Sequence, residues 1–182
     1  MLGQVLFQAI RCAPVFLIAL AGLAEGPPAA RPELSEQRLR LFHTHTGERL
    51  EIVFRRGTTY LPEALAELDR FLRDHRTGDV HPYDPRVFDL LSELLAAAGR
   101  PNAEIHVICG YRSERSNEFL RTHTTGVAKH SRHVLAEAID IRVPGLNSLA
   151  LRNAAISLGR GGVGYYPRSN FIHVDVGRVR RW

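Results

Sequence analysis

Cysteine is scarce in this 182-residue chain, with Cys12 and Cys109 its two examples. Removal of the N-terminal segment that holds Cys12 would leave Cys109 alone. No internal disulfide is then available, and packing, helped by a metal if one is bound, must hold the fold. Lysine is scarcer still: Lys129 is the single one, and the net charge of +5 comes from scattered arginines. A basic surface suits any polyanion, but arginines not gathered on one helix argue against a nucleic-acid binder, which would show strongly salt-dependent binding to DNA. Long apolar runs are missing too. The run from Ala13 to Ala24 falls short of the roughly 20 residues a membrane helix needs. No G-x-S-x-G elbow surrounds Ser131, so a serine nucleophile is not expected. Gly161, Gly162 and Gly164 lack the strand-to-helix setting of a phosphate loop and read as flexible backbone close to a cleft.

What is present begins with the N-terminal stretch MLGQVLFQAIRCAPVFLIALAGLAEGPPAA. Arg11 precedes the apolar run, and Glu25 with a Gly-Pro-Pro break follows it. This is the layout of a signal peptide, cut somewhere from Ala21 to Ala30; the alternative is an uncleaved membrane anchor. A twin-arginine pair is absent, and Cys12 stands before the apolar run, unlike a lipoprotein cysteine. The expected division is residues 1–30 as leader or anchor and 31–182 as a single domain, a length sufficient for one full core.

Within that domain, Pro27 to Gln37 reads as a linker. RLRLFHTHTGERLEIVFRRG alternates apolar and polar residues about Thr46-Gly47 and predicts a hairpin, with Leu41, Leu50, Ile52 and Phe54 turned inward. Leu61, Leu65, Leu68, Phe71 and Leu72 recur at helical spacing behind Pro62. Asp84-Pro85 opens a second helix, with Phe88, Leu91 and Leu95 on one face and Gly99 at its end. EIHVICGYRS predicts a strand and turn, with Ser113 capping a helix from Glu114 to about Thr122. A polar loop spans Thr124 to Arg132. AIDIRV is a strand, Asn147 to Leu158 a helix closed by Gly159, and FIHVDVG the final strand. A hairpin, then helices, then mostly strands, without regular β-α alternation, indicates an α+β domain.

Side chains alternate between the faces of a strand. In AIDIRV, Ile139, Ile141 and Val143 share one face, leaving Ala138, Asp140 and Arg142 on the other. In FIHVDV, Ile172, Val174 and Val176 oppose His173 and Asp175. Were the two strands neighbours, Asp140 and His173 would converge, and His133 would arrive from the loop ahead of the first. Imidazole and carboxylate suit zinc, and catalytic zinc commonly has three protein ligands and an open position. The competing reading pairs Asp140 with Arg142 or another arginine and leaves the histidines on the surface; spacing alone does not choose.

The run Ser131-x-His133 through Ala138-x-Asp140 resembles the S-x-H-x-x-G-x-A-x-D motif of the zinc D-alanyl-D-alanine peptidases, whose fold is shared with hedgehog domains. The stretches LRLFHTHTGE, GYRS, GVAKHSRH and GGVGYYPRSNFIHVDVGRVRRW extend the resemblance along nearly the whole mature chain, more specifically to the murein endopeptidase branch of that family. The resemblance implies a hedgehog/DD-peptidase-like domain, with a small antiparallel sheet carrying the metal site and helices flanking it. It implies Zn2+ held by His133, Asp140 and His173, peptidoglycan stem peptides as partners, and action in the periplasm. A monomer is the default expectation, with no nucleic acid and with membrane contact only through the N-terminal segment if that is uncleaved. One departure is visible: Ala136 stands where the motif has glycine, a position that could need positive φ or close backbone approach.

Related peptidases place a base just before the last ligand. Here those positions are Asn170 and Phe171, neither able to act. Asp175 is the candidate base, with orientation of a ligand imidazole as its alternative role. Arg112 resembles the family arginine that meets substrate, suited to a carboxylate or an oxyanion; the alternative is a surface ion pair. Ser131 is expected to support the loop, His130 to lie within it, and Tyr165 and Tyr166 either to line the groove or to pack. The activity expected is cleavage of peptidoglycan peptide cross-links. Trimming of a terminal D-alanine, or wall binding without turnover, stands as the alternative.

Overall fold

The computed structural model describes residues 35–124 and 127–182. The expected leader and most of the expected linker lie outside these residues. Glu36 and Gln37, expected as linker, already belong to a strand, β1 (Glu36–His43). It pairs antiparallel with β2 (Arg49–Arg56), the predicted hairpin, with Leu41 opposite Leu50. Leu41 and Phe54 are fully buried, while Leu50 and Ile52 pack half-buried against the core. A two-residue strand, β3 (Thr59–Tyr60), borders β2.

Helix α1 (Pro62–Phe71) carries its proline in the first turn, where the missing N–H costs nothing. Helix α2 (Arg86–Ala97) buries Val87, Phe88, Leu91, Leu94 and Leu95, and Gly99 beyond it takes φ +69°. After β4 (Glu104–Cys109) comes α3 (Glu114–His123), capped as expected by Ser113, whose hydroxyl accepts from the Ser116 N–H. Then follow β5 (Ala138–Arg142), α4 (Ser148–Leu158), β6 (Gly162–Tyr166), β7 (Phe171–Asp175) and β8 (Arg180–Arg181).

The eight strands described form one mixed sheet in the order β3-β2-β1-β4-β5-β7-β6-β8. The expected small antiparallel sheet is therefore larger and not uniform: β1 runs parallel to β4, and β6 parallel to β8. The expectation holds for the central ribbon β4-β5-β7-β6, which is antiparallel throughout. FIHVDVG is not the last strand, because Arg180–Arg181 adds β8. The glycines expected to be flexible lie in or beside β6, and Gly161, Gly162 and Gly164 are all buried. The core fills one face of the sheet, where Leu39, Leu41, Ile105, Val107, Ile139, Ile141, Ile172 and Val174 meet α1, α2 and α4. The opposite face of β5 and β7 carries Asp140, Arg142, His173 and Asp175. Among the described residues no helix is long and apolar enough to cross a membrane.

Candidate metal centre

Alternation along β5 and β7 has the consequence read from the sequence. Ile139 and Ile141 are wholly buried in the core, and Asp140 projects from the other face. β5 pairs directly with β7, so Asp140 sits opposite His173 and Ala138 opposite Asp175. His133 arrives from the turn before β5. Its Nε2 lies 3.2 Å from Asp140 Oδ1 and 3.1 Å from His173 Nδ1, and His173 Nδ1 lies 2.9 Å from Asp140 Oδ1. All three side chains are buried. No arginine reaches Asp140 among the described residues, so the ion-pair alternative for this carboxylate fails.

Each imidazole is fixed from behind. His133 Nδ1 donates to the Gly110 carbonyl at 2.8 Å, which turns Nε2 toward Asp140. Gly110 can offer that carbonyl because the chain passes so close to α1's end that a Cβ there would stand 2.6 Å from the Leu72 carbonyl oxygen. His173 Nε2 donates to Asp175 Oδ2 at 3.0 Å, leaving Nδ1 for the site.

Asp175 is fully buried, and its oxygens also accept from the Gly162 and Gly177 N–H groups and from Arg180. Burial pushes its carboxyl up, but the bonds from His173 and Arg180 more than offset this and hold it well below the usual carboxylate range. Burial likewise raises Asp140, and the His133 and His173 imidazoles more than reverse it. His133 is lowered by burial and raised further by the Asp140 carboxylate, ending well above its ordinary value.

Cys109 was not singled out as a site residue in the sequence, yet it lies here. Its Sγ, a His133 nitrogen and an Asp140 oxygen fall within 4.8 Å of one another, and this buried group could hold a metal ion. Strict alternation would send Cys109 to the core with Ile105 and Val107. A bulge in β4 between Val107 and Cys109 turns it instead to face Asp140. A bulge leaves no mark in a hydropathy pattern.

The site forms the floor of a cleft of about 410 Å³. Arg112 lines it, its Nη2 donating to Cys109 Sγ at 3.3 Å and its Nη1 reaching Asn117 Oδ1 at 3.4 Å. The side-chain partners of Arg112 among the described residues are Asn117 and Cys109 rather than a carboxylate, against the surface-ion-pair alternative. Ser131 supports the turn as expected, its hydroxyl accepting from the His133 N–H at 3.3 Å. His130 is an exposed loop residue on the cleft wall. Tyr166 lines the cleft, whereas Tyr165 packs against the core. Asn170 adopts φ +51° in the turn before β7, and Phe171 stacks on Tyr166. Ala136 has φ +51° and is buried, so the position does demand the left-handed backbone that glycine adopts freely.

Imidazole and carboxylate donors turned inward at the floor of an open cleft define a metallopeptidase-type centre. The sequence profile of the peptidoglycan L,D-endopeptidase MepK family matches residues 32–182, and the chain belongs to this family. It is 42% identical over 172 residues to a probable peptidoglycan L,D-endopeptidase MepK of Haemophilus influenzae, covering 91% of this chain and 92% of that protein. It is 41% identical over 173 residues to peptidoglycan L,D-endopeptidase MepK of Escherichia coli K12, covering 91% and 94%. No solved structure matches the chain.

Proposed function

We propose that the chain is a zinc endopeptidase that hydrolyses peptide cross-links of peptidoglycan in the periplasm, with His133, Asp140 and His173 as the metal ligands. The observation that carries this reading is the convergence of His133 Nε2, Asp140 Oδ1 and His173 Nδ1 within 3.2 Å, each imidazole held by a hydrogen bond on its far side. The donor set fits zinc with an open position; adding the Cys109 thiolate would close it. Zinc held there would supply a Lewis acid for the scissile carbonyl.

The chain's own residues do the rest. Asp140 offers the negative charge that suits a cation in a buried site. Asp175 keeps the His173 ring in one tautomer and one orientation, which favours the orienting role over that of base. Arg112, anchored to Cys109 and free of any carboxylate partner among the described residues, presents a guanidinium to the cleft for a substrate carboxylate or a developing oxyanion.

Digestion of purified cross-linked muropeptides, read by mass spectrometry, tests the reading. Dimers should fall to monomers, and chelation or His133→Ala should abolish the loss. Cys109→Ser should keep both metal and turnover if His173 is the third ligand, and lose both if the thiolate takes that place. Shortened stems without loss of dimers would mean a carboxypeptidase, and binding without cleavage a wall-binding protein.

A further inference from the structure

One wall of the cleft is aromatic, and none of the roles above uses it. Trp182 stands beside the ligand set with its ring centroid 5.1 Å from that of His173. It is the chain's single tryptophan, and about half of it is exposed, at 50%. Four contacts hold it there. Its backbone N–H donates to the Val163 carbonyl at 3.2 Å, and its own carbonyl accepts from Tyr165 at 3.0 Å. The indole Nε1 donates to the Tyr166 hydroxyl at 2.9 Å. The Arg180 guanidinium lies 5.0 Å from the ring centroid while also gripping Asp175 at 2.7 Å.

The seat beneath the indole is Gly164, paired across the ladder with His173. A Cβ on Gly164 would stand 2.6 Å from Trp182 Cε2. The glycine thus gives the ring room to lie on the sheet, close to the reacting centre. Tyr166, the hydrogen-bond partner, stacks on Phe171 at 4.5 Å, so the wall is a braced surface rather than one loose ring.

A half-exposed indole held beside His173, in a cleft that Arg112 also lines, is a binding surface. Arg112 selects charge; the wall selects apolar, flat or unbranched matter. We infer that Trp182, seated on Gly164 and tied to Tyr166, is a substrate-positioning residue that packs against the aliphatic stem of the cross-linked peptide while Arg112 holds a carboxylate. This rests on the endopeptidase reading, and deepens it by naming what the second half of the site recognises.

Steady-state kinetics on cross-linked muropeptides test the inference with the full chain. Trp182→Ala should raise KM roughly five- to tenfold with kcat changed less than about threefold; Trp182→Phe should recover part of the loss. Gly164→Ala, which displaces the indole without deleting it, should raise KM in the same way. Metal content should be unchanged in all three. An unaltered KM with a fall in kcat or in bound metal would mean that Trp182 merely props His173, and would overturn the proposal.

A second readout needs no turnover. In the chelator-treated wild-type chain, emission from the single tryptophan should change saturably as muropeptide dimers are added. A flat titration would overturn the proposal. A saturable change in a chain that, once reloaded with zinc, cuts nothing would sink the endopeptidase reading and leave the binding wall standing.

Discussion

Asp175 and Asp140 flank the two edges of one imidazole: Asp175 Oδ2 accepts from His173 Nε2 at 3.0 Å, while Asp140 Oδ1 lies 2.9 Å from His173 Nδ1. One carboxylate is saturated by backbone and arginine donors, and the other faces the cleft. Two acids on one sheet face, one on each of two neighbouring strands, are thereby given different work.

Asp175→Asn should leave the chain folded and lower metal affinity by about 10- to 100-fold. Added zinc should then restore turnover. Metal titrations alongside rate measurements check this. Normal metal affinity with abolished turnover would return the base role to Asp175.

Arg112→Lys keeps the charge but loses the planar fork and its anchor on Cys109. The expected outcome is a fall in kcat/KM of roughly ten- to a hundredfold with metal content intact. A wild-type kcat/KM would show that Arg112 serves only the fold.

Ala136→Gly relieves an alanine held at φ +51° inside the turn that delivers His133. Stability should rise by about 0.5–1 kcal/mol in urea unfolding, the relief outweighing the greater freedom of glycine in the unfolded chain. A loss of stability would mean the methyl group's packing outweighs the strained backbone.

Stability should fall on the acid side in two stages. His43 is fully buried, and burial with the neighbouring His45 lowers its pKa from about 6.5 to about 4. His75, lowered to about 4 by burial and His45, behaves alike. Neutral imidazoles in the fold take up protons on unfolding, so stability is full above pH 6.5 and drains as pH falls toward 4, by up to about 3 kcal/mol for His43. Asp74 follows. Burial raises its carboxyl, but bonds from Ser116, Arg76 and Ser113 bring it down to about 2, so its contribution is lost between about pH 3.8 and 2. Urea midpoints measured across this range should decline in that order, with a shallower first stage in His75→Gln. A midpoint that stays level from pH 6.5 to 4 would contradict the assignment.

Much of the site was legible because its chemistry violates its setting. An aspartate between two isoleucines of a strand is explained by something on the far face, and period-two alternation placed Asp140 and His173 there. Pairing of β5 with β7 was a supposition that the register bears out. Three things were hidden. The bulge that turns Cys109 toward Asp140 arises from hydrogen-bond register, which residue type does not encode. The parallel partnership of β1 with β4 joins segments some sixty residues apart and has no local signature. The glycines of GRGGVG read as flexible because glycine permits both mobility and close approach; only the folded chain brings the indole to rest on Gly164.

Asp140 and His173 stand on paired strands at the floor of the cleft, and part of its wall comes from the connecting residues Val127, Ala128 and His130–Arg132. Strand positions are locked by neighbours on both sides, whereas connecting segments accept change readily. A substitution in that connecting segment can therefore reshape the cleft wall while the strand register keeps Asp140 opposite His173.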